Sequence, residues 1–513
     1  MAKIGDLMQK IIMSNPKTGM WFLSHMPASF WEKQGRKKVL ATFHEAAEKV
    51  PAYQKLLKDK GVDPKEVKTF EDFQKKVPIM DKENYISRYS LQDLCLEGRI
   101  DKMYTIATSS GSTGISCYWP RLPEQDRMLP KYWELFFRQN WDIDKKATLV
   151  VITMALGNWI AGELVSGIIK RIAIEGKYPL SITTPGSDVN QILTIIKGLG
   201  FNYDQVIMVA YPSLMKKILE EGKKIGIDWR RLNLKLWLGG EGFTKNWQEY
   251  ILKEIGGEEN LNTLVNVYGT ADAGGIAFGS PLVNAITDIA LRDEKLFQAL
   301  FGKIYKFPSL GQNNPLAYFV EEINGRLVIT YRGGIPLIRY NTKDEGRIFP
   351  YENMMRILKE DNYDLIDFLR KRGYSKEKIW RWPFISISDR AGNVISIVGA
   401  NVYPENIQAA LYTKETEDIN SFRLKVDTDE KGNVHFYIFV EIKKGLFLTP
   451  EEKMQLEKKY HDIFLAKLLE VNPDYKKSYE EDKSTADPIV KIYQFSQGSF
   501  AKKLDTKEIY IDE

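Results

Sequence analysis

Cysteine is nearly absent: Cys95 and Cys117 are the only two in 513 residues. That excludes a disulfide framework and any CxxC metal pair. The four histidines (His25, His44, His435 and His461) are scattered, with no HExxH-type spacing to hold a catalytic zinc. No run of 18 or more apolar residues occurs, so no helix is expected to span a membrane. Neither sign of charge dominates. With 73 basic and 68 acidic residues the net charge is +5, too mild to imply nucleic acid but no barrier to an anionic nucleotide. Lys10, Asn15 and Lys17 interrupt the apolar pieces of the N-terminus, so no signal-peptide core is read and the expected compartment is the cytoplasm. The aromatic stretch 20–31 reads as a segment packed on the body of the protein.

What the chain does have is core material, enough for two or more domains, one of them large. Residues 36–60 carry Val39, Leu40, Phe43, Ala46, Ala47 and Val50 at helical spacing, with Pro51 breaking or restarting the helix. From residue 147 short apolar runs alternate with helical patterns up to about residue 275, the signature of a mainly parallel sheet covered on both faces. Around residues 316–350 apolar and polar residues alternate about an Asn-Gly pair, which predicts a hairpin. The character changes near residues 388–393, where a domain boundary is placed, and a compact α+β unit follows.

Four loops could carry chemistry. "SSGSTG" (109–114) has closely spaced glycines whose backbone N–H groups can converge on an anion, with hydroxyls as further donors. It is no Walker A loop, since no Lys follows and Ile115 stands after the last Gly; taken alone, such a hexamer reads as a plain linker or turn. "LWLGGEGF" (236–243) follows a predicted strand, either as a tight turn or as backbone brought close to something flat. "NVYGTADAGG" (266–275) places Tyr268 and Asp272 just beyond a strand end, where open α/β sheets bind ligands. Tyr268 could stack on a base and Asp272 hold Mg²⁺, or Asp272 could cap a turn. "IRYNTKDEGRI" (338–348) offers Asp344, whose carboxylate could accept from both hydroxyls of a diol, or could pair with a surface lysine.

The order and spacing of these motifs resemble the adenylate-forming superfamily, and most nearly the phenylacetate–coenzyme A ligase family, which includes coenzyme F390 synthetase-like proteins. The segments "AAEKVPAYQKLLKDKG", "FEDFQKKVPIMDKENY" and "GRLVIT…GGIPLIRYNTKDEGRI" extend the resemblance over residues 36–410, and more loosely beyond. It implies an α/β fold with a large N-terminal domain (1–389), its mainly parallel sheets flanked by helices and joined by a distorted β region, and a small mobile α+β C-terminal domain (390–513). By the same resemblance Ser109, Ser110, Gly111, Ser112, Thr113 and Gly114 embrace the ATP phosphates, Gly239, Gly240 and Glu241 line the adenine, and Tyr268, Gly269 and Thr270 cover the base and the acyl site. Asp272 takes the Mg²⁺ role and Asp344 the ribose hydroxyls.

Arg390 matches the hinge signature, Gly392 and Asn393 stand where the family has its acidic hinge pair, and Gly399, Asn401 and Val402 match the region that turns toward the site for the second half-reaction. The family's bridging lysine near the chain end has three candidates, Lys502, Lys503 and Lys507; Lys502 is chosen because it follows the Gly-x-x-small pattern. The phosphate loop departs from the family by lacking its Lys, and Asp272 stands in place of Glu. The activity implied is ATP-dependent activation of a small-molecule carboxylic acid, aromatic or apolar if Trp159, Tyr211, Trp237 and Tyr268 line its pocket, with transfer to coenzyme A. A different acceptor is the alternative, since "PIVKIYQFSQGSF" is similar to acyl-amide synthetases. So is a nucleotide-binding scaffold without turnover, given the altered loop and hinge.

Overall fold

The computed structural model describes residues 15–109, 117–157, 160–240, 243, 245–302, 309–390, 395–411 and 415–501. A hairpin of β1 (Thr105–Ser109) and β2 (Cys117–Arg121) precedes the main sheet and flanks the Ser/Gly segment, with Ser109 and Cys117 directly opposite one another. Five parallel strands then form half of an eleven-stranded sheet: β3 (Thr148–Ile152), β4 (Leu180–Thr183), β5 (Gln205–Ala210), β6 (Leu234–Gly239) and β7 (Leu264–Thr270), in the order β7-β6-β5-β3-β4. Every residue of β3, β5 and β6 is buried, and their side chains alternate between two cores as the twofold period of a strand requires. Val150, Ile152, Ile207, Val209 and Trp237 meet the helices Pro123–Trp141 and Ile160–Gly176, whereas Leu149, Val206, Met208, Leu236 and Leu238 meet Val189–Leu199, Pro212–Lys224 and Lys245–Ile255.

The other six strands are antiparallel, so the sheet is mixed to a greater degree than the sequence pattern suggests. They are β8 (Gly274–Phe278), β9 (Ser309–Asn313), β10 (Tyr318–Ile323), β11 (Arg326–Tyr331), β12 (Leu337–Phe349) and β13 (Phe384–Arg390), and the order continues β10-β11-β12-β13-β9-β8 onto β7. The expected Asn-Gly hairpin is β10–β11, with Asn324 and Gly325 at φ of 52° and 76°. A short hairpin of β14 (Ile395–Ile397) and β15 (Ala400–Val402) leads to a separate sheet of β16 (Ile419–Thr428), β17 (Val434–Ile442) and β18 (Pro488–Tyr493). These strands and the helix Pro450–Val471 share an apolar cluster of their own, running from Ile395 to Ile492. Among the described residues no helix is long and apolar enough to cross a membrane.

One core lysine gives the parallel half a pH signature. Lys235, on β6, is only 4% exposed, its Nζ 3.4 Å from Asn262 Oδ1. Burial, and then the charge of Lys146, push its ammonium down to about 8 from the ordinary 10.5. The unfolded chain therefore keeps this proton to higher pH than the folded one, and folding stability rises as pH climbs from about 8 toward 10.5. Measured by chemical denaturation against Lys235→Met, the wild type should gain roughly 2 kcal/mol between about pH 7 and 10. A pH-independent difference would show that the ammonium is solvated.

Candidate active site

Two tyrosine–aspartate pairs tie the end of β7 to β12. Tyr268, on β7, donates to Asp344 Oδ2 on β12 at 2.5 Å. In the opposite direction Tyr340, on β12, donates to Asp272 Oδ2 at 2.6 Å, and Asp272 lies in the turn between β7 and β8. Burial, followed by the neighbouring carboxylate of Asp272, raises the Tyr340 phenol well above its ordinary value, so it serves as a donor at neutral pH. The Asp272 turn is also held from behind: Tyr318 donates to the Ala273 carbonyl at 2.7 Å. Asp344 is 5% exposed and the Asp272 side chain 12%. Both carboxylates are thus fixed in place by a phenol.

A third strand-like segment brings a cation here. Met80 forms a parallel bridge with Tyr340, through Met80 N to Arg339 O at 3.1 Å and Asn341 N to Met80 O at 2.8 Å. Arg339, with φ of +48°, turns its guanidinium onto the Gln74 and Val77 carbonyls, both at 2.7 Å, and onto Glu321 at 3.2 Å. The carbonyls at the end of the helix Phe70–Lys76 so gain a buried cation. Two residues beyond Met80, Lys82 Nζ reaches within 3.7 Å of Asp272 Oδ1 and lies over the Trp119 ring.

Cys117 shares this place. Burial raises its thiol, and the charges of Lys82 and Asp272 both act on it. Since Cys117 opens β2, the far stem of the Ser/Gly segment emerges beside Lys82 and Asp272. The hairpin is anchored at its other end by a buried fork, Arg121 Nε and Nη2 on Asp126 at 2.8 and 2.5 Å, with Tyr104 donating to the same carboxylate.

Of the residues singled out in the sequence, Tyr268, Asp272 and Asp344 converge directly. Gly269 and Thr270 complete β7, Gly239 ends β6, and Gly240 follows it with φ of +83° against the Tyr211 ring. Arg390 ends β13 opposite Asp344 in register. Ser109 ends β1, but Ser110, Gly111, Ser112, Thr113, Gly114, Glu241, Gly392, Asn393, Lys502, Lys503, Lys507 and Trp159 lie outside the described residues. Gly399 joins β14 to β15, and Asn401 and Val402 lie on β15. Trp237 is no pocket residue: it is 1% exposed within a cluster of Trp133, Phe136, Phe137 and Trp141. Lys82 and Tyr340 are the residues that sequence reasoning missed. Lys82 sits in an ordinary run of charges, and only pairing across more than 250 residues brings it to Asp272.

No family model matches the chain. A phenylacetate–coenzyme A ligase of Aromatoleum evansii is 21% identical over 434 residues, spanning 82% of this chain and 84% of that protein. The crystal structure of 2-hydroxyisobutyryl-CoA ligase in complex with 2-HIB-AMP and CoA, in the thioesterification state, aligns with a TM-score of 0.62 at 14% identity, over 95% of this chain and 91% of that one. The same ligase in the postadenylation state with 2-HIB-AMP aligns at 0.54 and 14% identity, over 95% and 90%. The chain therefore has the mixed α/β fold of adenylate-forming enzymes, and the resemblance read from its motifs holds at distant identity.

Proposed function

We propose that this chain activates a carboxylic acid with MgATP as an acyl-adenylate and then passes the acyl group to coenzyme A. The observation that carries the reading is the convergence of Asp272, Lys82 and the stem of the Ser/Gly loop, with the Asp344–Tyr268 pair bonded across from the end of the same strand. In the first step an oxygen of the substrate carboxylate attacks the α-phosphorus, the bond to the bridging oxygen breaks, and pyrophosphate leaves. In the second the thiol attacks the acyl carbon and AMP leaves. The protein's part is positioning and charge stabilisation, with no covalent intermediate on the enzyme.

Each residue has a role suited to its surroundings. Asp344, held at Oδ2 by Tyr268, takes the ribose hydroxyls. Gly239, Gly240 and Glu241 line the adenine, Ser109 to Gly114 wrap the phosphates, and Arg390 lies opposite Asp344 on the neighbouring strand. Mg²⁺ fits Asp272: its Oδ1 edge faces Lys82 at 3.7 Å, beyond hydrogen-bond reach, and Mg²⁺ typically takes one or two carboxylates plus phosphate oxygens. When bound it neutralises phosphate charge. Lys82 supplies the cation that the loop lacks after Gly114, and Lys502 bridges carboxylate and α-phosphate, its compact ammonium suiting the task. Residues 390–393 form the hinge on which residues 395–513 turn between the steps. The acid we propose is apolar or aromatic, in keeping with the side chains Trp133, Phe136, Ile276 and Phe278 gathered between the helix Pro123–Trp141 and β8.

The test is pyrophosphate release with MgATP and a panel of aryl, fatty and hydroxy acids. Acid-dependent release supports the reading, and ATP binding with no release across the panel contradicts it. Lys82→Met should raise the KM for ATP about tenfold or more, the loss of one charge-assisted contact, with Lys82→Arg retaining part of the affinity. An unchanged KM would remove Lys82 from the phosphate site.

A further inference from the structure

Consecutive lysines on the helix Pro212–Lys224 reach across to the turn before β17 and to the cap of the helix Lys483–Ala486. Leu214, Met215, Ile218 and Leu219 bury one face of this helix in the core under the parallel strands. Lys216 and Lys217 leave it on the other side. Lys217 Nζ lies 3.2 Å from Asp482 Oδ1. Asp482 is fully buried and also accepts from Ser484 Oγ at 2.7 Å and Thr485 N at 3.3 Å. Burial opposes its ionisation, yet these hydrogen bonds and Lys217 hold the carboxyl below its usual range.

Lys216, only 8% exposed, donates to Asn433 Oδ1 and pairs with Glu220 at 2.9 Å. Asn433 is set for that contact in advance, its backbone N and its Nδ2 donating to Asp429 at 2.8 and 2.6 Å. Beside it Gly432 packs on the Tyr250 ring, where a Cβ would stand 3.3 Å from a ring carbon.

Neither side needs these pairs to build its own core, since the apolar clusters on the two sides share no residue. A buried ion pair returns little net stability, because desolvation offsets the attraction; its better-attested effect is to select one arrangement over others. The arrangement selected here places the β14–β15 hairpin at the mouth of the candidate site. Ser396 Oγ donates to the Gly240 carbonyl at 3.3 Å. Gly399, with φ of +81°, approaches Tyr211 so closely that a Cβ would stand 3.0 Å from its ring. Positive φ and close approach both call for glycine.

We infer that Lys216 and Lys217 are positioning residues, a dock that holds residues 395–501 with the Gly399 hairpin over the site and so favours acyl transfer over adenylation. The inference rests on the two-step reaction proposed above. It assigns to two lysines on the body of the protein a control over which half-reaction the C-terminal part serves, without contact with substrate.

The experiment compares wild type with the Lys216→Met/Lys217→Met double variant by two readouts. Nitroxide labelling of cysteines introduced at two exposed positions, Phe201→Cys and Phe447→Cys, in a Cys117→Ser background, reports the distance between the two parts by pulsed dipolar spectroscopy. The double variant should lose most of the distance population that dominates the wild type, and an unchanged distribution would overturn the inference. In single-turnover kinetics with an accepted acid, thioester formation from the bound acyl-adenylate on adding coenzyme A should fall about tenfold, while the first-turnover burst of pyrophosphate, read before coenzyme A is added, stays within about twofold. Equal loss in both steps, or no loss of thioester, would overturn it as well. A wild type that releases no pyrophosphate with any acid would contradict the adenylation reading instead, and the distance measurement would still decide the dock.

Discussion

Asp272→Asn should lower acid-dependent pyrophosphate release by roughly 10²–10³-fold while the melting temperature stays within a few degrees of wild type. The substitution is nearly isosteric. Tyr340 can still donate to the remaining Oδ, and the Tyr318 bond to the Ala273 carbonyl is untouched, so the turn between β7 and β8 keeps its anchors. What is lost is the negative charge facing Lys82 and the hard oxygen offered to Mg²⁺. The loss should appear chiefly in kcat, because charge on the phosphate oxygens grows toward the transition state. Asp272→Glu restores the residue that the family resemblance implies and should recover most of the rate. An Asp272→Asn protein with half the wild-type rate or more would remove this carboxylate from the chemistry.

The second large effect concerns the nucleotide. Asp344→Asn should raise the KM for ATP about ten- to a hundredfold, the worth of a hydrogen bond to a charged acceptor. Release at saturating ATP should change far less, since the ribose is remote from the reacting phosphorus. The partner hydroxyl can be identified by subtraction: with 2′-deoxy-ATP or 3′-deoxy-ATP the wild type should fall toward the variant, and the variant should no longer distinguish that analogue from ATP. If the variant discriminates as the wild type does, Asp344 binds something other than the ribose.

The parallel half of the fold was legible because fully buried strands such as β3, β5 and β6 are continuous apolar runs separated by amphipathic helices. The antiparallel half was less so. β9 is the polar run Ser309–Asn313, and its burial comes from neighbours distant in sequence, β8 and β13, which no local period reveals. Within the site, Tyr268, Asp272 and Asp344 stood out because each lies in or beside a turn or irregular strand rich in glycine and acid. Their joining through two phenols did not, since Tyr340 resembles any strand tyrosine until its register with Asp272 is seen. Lys82 was illegible for the same reason, its place being set by the Met80–Tyr340 bridge. Nothing local to the helix Pro212–Lys224 shows that Lys216 and Lys217 reach Asn433 and Asp482, more than 200 residues away.

Activation of the acid as an adenylate moves one of its oxygens onto AMP, which isotope labelling can follow. An acid accepted in the pyrophosphate assay, labelled with ¹⁸O in both carboxylate oxygens, would be turned over with ATP and coenzyme A, and the products read by mass spectrometry. Attack at the α-phosphorus predicts AMP carrying one ¹⁸O and a thioester retaining the other. Unlabelled AMP, or ADP with the label in inorganic phosphate, would contradict the account.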